Sequence, residues 1–416
     1  MRPSLFTCSV PAVAALMLGL AATAQTAPKE PPTMSKSAYE IAAYYFPSYH
    51  PNATYSKEHG EGWTEWNLLK AAKPRFEGHQ QPKVPAWGYD DESDPAAMAR
   101  RIDAAADNGL TAFLFDWYWH DTGPYIEGGL ERGFLKAPNR DRLKFALMWA
   151  NHDWIDIFPA KAGVKPAIVY PGPVTMETYV KATDHIIHEY FSQPNYWRIG
   201  GKPYFSIYEL MTLVKGFGGV EATRAALDGF RERARKAGVG EIHLNAVMWG
   251  IQVLPTETLI KNPEEMLKKL GFDSVTSYCW IHHVVPEGFP ASDYVKWMDK
   301  STALWPEFVK RWPVPYYPNV SMGWDSSPRT NQADKFENSG YPFTVVVTNN
   351  TPEHFKEALQ RAKAFLDQQP ADRRILTINA WNEWTEGSYL EPDAVHGTAY
   401  LDALREVFGR KRQINE

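Results

Sequence analysis

RILTINAWNEWTEG, residues 374–387, joins a short apolar run to a cluster of two tryptophans and two glutamates. The run Ile375–Ile378 is typical of a buried strand, and Gly387 lets the chain turn after the cluster. Residues three apart in an extended strand point to opposite faces, so Glu383 and Glu386 share a pocket only if the backbone turns between them. The stretch therefore predicts a buried strand whose end carries two carboxylates.

Two carboxylates on one pocket rim suit glycoside hydrolysis, which needs one protonated and one ionised group beside the scissile bond. Trp381, Asn382 and Trp384 offer a sugar ring-stacking surfaces and hydroxyl partners. The alternative is a polar loop with solvated glutamates, the usual fate of this residue type. Two tryptophans beside two glutamates favour an active site.

Alternating apolar and amphipathic segments extend this pattern along the chain. Strands are predicted at residues 41–47, 110–119, 144–151, 203–209, 243–248, 274–278, 319–323 and 375–380. Helices are predicted at 95–108, 176–191, 221–237, 263–270, 293–311, 352–368 and 399–408, with Asp94 and Asn262 as caps of the first and fourth. Phe343–Val347 is a ninth strand-like run, interpreted as an insertion in the seventh unit. The pattern predicts an α/β fold, a single-domain (β/α)8 TIM barrel with elaborated loops.

Barrels of this class place their sites at the carboxyl ends of the strands. The predicted strand ends and following loops are rich in aromatic, amide and acidic residues. Any one of them could instead be a buried ring or a structural carboxylate. Taken together they predict a carbohydrate site, with Glu383 and Glu386 as catalytic residues and, as substrate-binding residues, Tyr45, His50, Trp63, Glu65, Asp116, Trp117, Trp149, Asn151, His152, Tyr208, Trp324, Trp381, Asn382 and Trp384.

Composition narrows the function classes. The net charge of −5 over 416 residues, without a long Lys/Arg cluster, gives no footprint for nucleic acid. His185 and His188 share a helix face, but no acidic residue completes a zinc pattern such as H-E-x-x-H. The sequence also lacks a P-loop and a dinucleotide-binding glycine motif, so we expect neither a metal nor a cofactor.

The N-terminus has the charged, apolar and small-residue order of a secretory signal peptide: Arg2, then Val10–Ala22, then Ala22-Thr23-Ala24. Cys8 precedes the apolar stretch, which disfavours a lipoprotein anchor, so no stable membrane anchor is expected. These features predict a periplasmic or secreted protein. The expected organisation is a signal peptide at 1–24, a flexible linker at 25–38, a catalytic domain at 39–410 and a tail at 411–416.

Several motifs match one family: Tyr45-Phe46-Pro47 with His50, Gly62-Trp63-Thr64-Glu65-Trp66, Gly78-His79-Gln80-Gln81-Pro82, Trp149-Ala150-Asn151, Gly323-Trp324-Asp325, and Ala380–Gly387 with Leu390-Glu391-Pro392. From about residue 40 to 405 the chain resembles glycoside hydrolase family 99-like proteins, and more closely the WbsX-type branch. The resemblance implies a metal-free (β/α)8 barrel that cleaves α-mannosides internally with retention. It also implies Glu383 as base toward the sugar 2-hydroxyl and Glu386 as general acid and base.

Two departures bear on specificity. Thr385 stands where characterised members commonly have His, and His152 where the WbsX pattern usually has Glu. The resemblance therefore implies the reaction class more directly than it implies mannose as the substrate sugar. Two other functions remain open at this point, a glycosyltransferase of polysaccharide biosynthesis and a carbohydrate-binding protein without catalysis.

Overall fold

The computed structural model describes residues 38–409, together with Met1 and Ser4. The predicted signal peptide, apart from those two residues, lies outside the described residues. So do the predicted linker up to residue 37 and the predicted C-terminal tail.

Parallel strands form a nearly closed barrel. Their sheet order is β7-β6-β5-β4-β3-β2-β1-β9-β8. Their bounds are β1 Glu40–Tyr45, β2 Ala112–His120, β3 Lys144–Trp149, β4 Lys202–Ile207, β5 His243–Val247, β6 Ser274–Thr276, β7 Tyr316–Tyr317, β8 Asn319–Ser321 and β9 Ile375–Asn379.

The two outermost strands of this order are adjacent in sequence. β7 pairs with β6 and β8 pairs with β9, and only Pro318 separates them. Proline has no N–H for a strand ladder, so it splits one barrel strand into two segments. The backbone at Pro318 thus connects the two ends of the sheet, β7 and β8, and the predicted TIM barrel is confirmed. The eight predicted strands are all present, and among the described barrel strands the sequence missed Tyr316–Tyr317 alone.

Helices alternate with the barrel strands. They are α1 Ala53–His59, α2 Trp66–Ala71, α3 Pro95–Asp107, α4 Met176–His185, α5 Leu210–Phe217, α6 Val220–Lys236, α7 Pro263–Leu270, α8 Tyr294–Ala303, α9 Trp305–Arg311, α10 Pro352–Asp367 and α11 Ala399–Phe408. No helix within residues 38–409 is long and apolar enough to cross a bilayer.

Some helix predictions need correction. Asp94 caps α3 by accepting from the Ala96 N–H, but the side chain of Asn262 makes no cap hydrogen bond to α7. The single helix predicted at 293–311 is two helices, because Pro306 in the first turn of α9 cannot continue the hydrogen bonds of α8. The sequence did not predict α1, α2 or α5, which are 7, 6 and 8 residues long.

The ninth strand-like run lies outside the barrel. Val346–Thr348 pairs in parallel with Ala291–Asp293, as a two-stranded sheet. The expectation of an insertion is confirmed. The long segment between β8 and this strand crosses the carboxyl end of the barrel and carries the 3-10 turn Ser327–Arg329.

Candidate active site

The two glutamates lie on a tight hairpin that follows β9. Asn382–Glu383 pairs antiparallel with Ser388–Tyr389, and Trp384–Glu386 forms a 3-10 turn between them. Gly387 closes the turn with φ 64°, and a Cβ at this position would lie 2.7 Å from the Asp325 Cβ. Glycine is therefore needed both for the backbone angle and for the close approach.

Glu383 and Glu386 line one cavity at the carboxyl end of the barrel. It has about 660 Å³ of space between its lining atoms, measured out to its open mouth. Much of its wall is apolar, from side chains such as Phe46, Met148, Trp154, Ile157, Phe158, Val253 and Leu254. Six of the predicted site residues line it, namely Asp116, His152, Tyr208, Trp324, Glu383 and Glu386.

Arg329 joins the two glutamates and is a residue that sequence reasoning missed. Its Nη1 donates to Glu386 Oε1, and its Nη2 lies 3.2 Å from Glu383 Oε2. Its Nε donates to Glu65 Oε1 over 2.8 Å. Burial alone would lower the pKa of Arg329, but the surrounding acidic groups, led by Glu65, hold it well above its usual value. A permanently charged guanidinium thus faces three buried carboxyl groups.

Two tyrosines complete the hydrogen bonding of the pair. Tyr341, also missed from the sequence, donates to Glu386 Oε1 over 2.7 Å. Tyr278 OH lies 3.1 Å from Glu383 Oε1. Burial, followed by the charge of Glu386, raises the pKa of Glu383 well above its usual value, while Arg329 partly opposes the rise. No group within residues 38–409 hydrogen-bonds Glu386 Oε2, which leaves that oxygen for a ligand in the cavity.

The opposite wall of the cavity carries a second set of hydrogen-bonded polar side chains. Tyr208 OH donates to Glu257 Oε1 over 2.6 Å and lies 3.2 Å from His282 Nε2. Glu257 also accepts from the backbone N–H groups of Val253 and Leu254. Burial raises the pKa of Glu257, but His282 and the other hydrogen bonds outweigh it and lower the pKa. Glu257 therefore fixes Tyr208 and the loop that forms part of the wall.

The family model described as Glycosyltransferase WbsX matches residues 41–404. The chain belongs to the WbsX family. Two curated relatives, both called uncharacterized protein WxcX and both from Xanthomonas campestris pv. campestris, are 28% identical over 378 residues. The match covers 89% of this chain and 50% of each relative, so the chain spans about half the length of the relatives it matches.

Solved structures with the same fold include glycoside hydrolases. The GH99 endo-α-mannosidase from Bacteroides thetaiotaomicron has a TM-score of 0.54 and 14% identity, over 88% of this chain and 96% of that chain. A glycoside hydrolase-like protein has a TM-score of 0.55 and 16% identity, over 91% of this chain and 97% of that chain. At these identities the likeness shows the fold, so this WbsX-family protein has a GH99-like barrel.

Ten predicted substrate-binding residues contribute no surface to the cavity of the WbsX-family protein. Three of them belong to a buried group around Glu92. Tyr45 OH donates to Glu92 over 2.9 Å, His50 Nδ1 lies 3.2 Å from it, and Asn382 Nδ2 lies 3.4 Å from it. Asn382 also exchanges hydrogen bonds with the backbone of Phe46. The group ties the glutamate hairpin to the end of β1.

A second buried carboxyl holds the two tryptophans beside the glutamates. Trp381 and Trp384 donate their indole N–H groups to Glu391, over 3.0 and 2.7 Å. Arg101 Nε donates to the same carboxyl over 2.6 Å. The Trp384 ring stacks on Tyr389 with centroids 3.7 Å apart. The rings of Trp381 and Trp384 therefore pack behind the glutamate hairpin and hold it in place.

The remaining five lie in supporting positions. Glu65 accepts from Arg329 and from Thr385, and Asn151 exchanges hydrogen bonds with the backbone of Glu209. Trp63, Trp117 and Trp149 pack against other rings. His152 is one of the predicted residues that line the cavity. Burial lowers its pKa and favours the neutral imidazole.

The Gly78-His79-Gln80-Gln81-Pro82 motif contacts the glutamate hairpin through Asp325. His79 Nε2 and Gln81 Nε2 lie 2.8 and 2.7 Å from Asp325 Oδ2. Burial raises the pKa of Asp325, but the hydrogen bonds and the charge of His79 outweigh it and bring the pKa to about 2. The Asp325 N–H in turn donates to Glu386 O over 2.6 Å.

Asp325→Asn should therefore destabilise the protein in a pH-dependent way. A carboxyl whose folded pKa is about 2 contributes stability above pH 4 and loses it as the pH falls toward 2. We expect the free energy of unfolding to drop by about 2 kcal/mol at pH 7, with the difference shrinking below pH 4. Urea titrations of both proteins at pH 7 and pH 3 measure it, and an equal deficit at both values would contradict the assigned charge.

Proposed function

We propose that this protein is a glycoside hydrolase that cleaves a glycosidic bond in a polysaccharide or glycan with Glu383 and Glu386. The observation that carries the proposal is the placement of the pair. Both carboxyl groups line the same cavity, both contact Arg329, and aromatic side chains surround them. Such a cavity suits a sugar ring, whose faces stack on aromatic rings and whose hydroxyls bind the polar groups.

Glu386 is the proposed general acid and base. Arg329 and Tyr341 both bind its Oε1, and its Oε2 has no hydrogen-bond partner in the described part of the chain. In the protonated acid Oε1 is the carbonyl oxygen, which still accepts both bonds, while Oε2 carries the proton. That proton passes from Oε2 to the leaving glycosidic oxygen, and Oε2 later accepts a proton from the attacking water.

Glu383 is the proposed base toward the 2-hydroxyl of the sugar. Tyr278 and Arg329 each contact one of its oxygens and fix its direction. An internal 2-hydroxyl attacks C1 at high effective molarity once Glu383 removes its proton. Water then opens the 1,2-anhydro sugar at C1: the water gives a proton to Glu386 Oε2, the bond from C1 to the 2-oxygen breaks, and Glu383 returns its proton to the 2-oxygen. The resemblance of the motifs to glycoside hydrolase family 99-like proteins completes the proposal. On that basis the enzyme cleaves internal α-linkages with retention, in a substrate that contains mannose.

The test is release of new reducing ends by the purified protein from a panel of α-mannans and bacterial surface polysaccharides. We expect release by the unmodified protein. We also expect it from the control Glu307→Gln, since Glu307 is an exposed residue on α9. Release by Glu383→Gln or Glu386→Gln at the same rate would refute the proposed roles. Binding of a glycan without any release would favour a carbohydrate-binding protein.

A glycosyltransferase is the second candidate, since the family model carries that description. The chain would then transfer a sugar to an acceptor hydroxyl instead of water. Incubation with a cleavable glycan and a labelled acceptor oligosaccharide separates the two functions. Free reducing sugar as the main product supports the hydrolase, whereas labelled elongated acceptor as the main product supports the transferase.

Export to the periplasm or the medium is also part of the proposal. It is based on Arg2, the apolar stretch Val10–Ala22 and the small residues up to Ala24. The protein recovered from outside the cytoplasm of an expressing bacterium is expected to begin near Gln25 in intact-mass measurement. Cytoplasmic protein that still begins at Met1 would contradict export.

A further inference from the structure

Asp116, in β2, is a buried carboxyl group beside the catalytic pair that the mechanism above does not use. It is 3% exposed, and it lines the same cavity. Its Oδ2 lies 3.0 Å from Tyr278 OH, and its Oδ1 has no hydrogen-bond partner among the residues that the structure describes. Within residues 38–409 no Lys, Arg or His forms an ion pair with it.

An ionised carboxylate in this position would be poorly compensated. It has about four lone-pair sites and would receive one hydrogen bond here, and an unpaired buried charge is costly. The titratable groups that face Asp116 are Tyr44, Tyr118, Tyr278, Glu383 and Glu386, and none of them is a cation. Burial raises the pKa of Asp116 well above its usual value, and the contact with Tyr278 offsets only part of the rise.

Tyr278 makes the protonation state of Asp116 matter to catalysis. Its hydroxyl oxygen lies 3.0 Å from Asp116 Oδ2 and 3.1 Å from Glu383 Oε1, and it carries a single proton. One hydroxyl cannot donate to both oxygens at the same time. If Tyr278 donates to an ionised Glu383, its oxygen can accept a hydrogen bond from the other side. Within residues 38–409 the group on that side is Asp116, which donates when it is protonated.

We propose that Asp116 is a positioning residue that stays protonated at neutral pH, donates to Tyr278, and thereby directs the Tyr278 hydroxyl to an ionised Glu383. The inference rests on the proposed function of the catalytic pair. Burial is the largest cause that raises the pKa of Glu383, and protons on Asp116 and Glu386 remove two of the charges that add to it. The ionised form is favoured at Glu383 rather than at Asp116 because Glu383 contacts the cation Arg329 as well as the Tyr278 hydroxyl.

The hydrogen-bonded row of Asp116, Tyr278 and Glu383 also accommodates the proton that Glu383 takes from the sugar. The 2-hydroxyl proton moves to a Glu383 oxygen as the 2-oxygen bonds to C1 and the bond to the leaving oxygen breaks. Asp116 stays neutral throughout, so no charge moves into the apolar part of the site. A neutral carboxylic acid kept as a hydrogen-bond donor at neutral pH is a known use of an apolar environment.

Infrared difference spectroscopy tests the protonation of Asp116 without requiring any activity. The spectrum of the unmodified protein minus Asp116→Asn at pH 7 should contain a carboxylic-acid C=O band. The spectrum minus Asp325→Asn, the matched control with an ionised buried aspartate, should contain carboxylate bands instead. Carboxylate bands alone for Asp116 would overturn the proposal, whether or not the protein cleaves a glycan. Circular dichroism checks that each variant is folded.

The pH profile of kcat/KM tests the link to Glu383. In Tyr278→Phe, Glu383 loses a donor to its ionised form, so its pKa rises and the acid limb should move to higher pH. We expect Tyr278→Phe and Asp116→Ala to lower kcat/KM by roughly 10- to 100-fold, mainly through kcat. Asp116→Asn should lose less, because its amide N–H donates to Tyr278 as the acid does. An unmoved acid limb in Tyr278→Phe, or equal losses in Asp116→Asn and Asp116→Ala, would overturn the link.

Discussion

Glu386→Gln is expected to lower kcat by at least about 10³-fold, and Glu383→Gln to do the same, because each change removes a proton transfer from the transition state. The amide oxygen of a glutamine at 386 still accepts from Arg329 and Tyr341, so the geometry of the site should persist. The loss should therefore fall on kcat rather than on KM. Initial rates of reducing-end release over a range of substrate concentrations separate the two parameters.

The matched control for this pair is Glu307→Gln, which makes the same chemical change on an exposed helix. Its kcat should equal that of the unmodified protein. A loss of activity that appears only as a higher KM in Glu383→Gln and Glu386→Gln would mean that the pair binds the substrate without transferring protons, and the assigned roles would be wrong.

Arg329→Met is expected to lower the free energy of unfolding by about 3–5 kcal/mol at pH 7, the usual cost of leaving buried charges without their partner. Glu65, Glu383 and Glu386 would all lose their cation. The pKa of Glu383, which burial already raises, would rise further without Arg329, so the variant gains relative stability as the pH falls and this carboxyl group becomes protonated. The deficit should thus be smaller at pH 5 than at pH 7.

Urea unfolding followed by tryptophan fluorescence measures this effect. The control is Arg311→Met, because Arg311 pairs with Glu264 at the surface and such pairs contribute about 0–1 kcal/mol. If Arg329→Met unfolds at the same urea concentration as the unmodified protein at pH 7, Arg329 does not hold the carboxyl groups together as described.

The barrel could be predicted from the sequence because each strand carries its own local signal. Runs such as Ile375–Ile378 are apolar and end in polar residues, and helices such as α7 begin at proline and end at glycine. The strand split at Pro318 was missed because β7 has only two residues, Tyr316 and Tyr317, too few for a periodic pattern.

The candidate site could be predicted only in part. Glu383 and Glu386 stand out because they are close in sequence and flanked by tryptophans. Arg329 gives no such signal, since an arginine in a loop is usually exposed, and its contact with Glu65 spans 264 residues. Sequence also could not distinguish rings that line the cavity, such as Trp324, from rings held behind it, such as Trp381, because both follow strands in the same way.

The most direct test of glycosidic cleavage by this pair measures binding and turnover on the same oligosaccharide for the unmodified protein, Glu383→Gln and Glu386→Gln. Calorimetric titration gives the affinity, and release of reducing ends gives the turnover. We expect affinities within about tenfold of one another and turnover in both variants reduced by at least about 10³-fold. Equal turnover in all three proteins, or binding by all three with no turnover in any, would contradict the account.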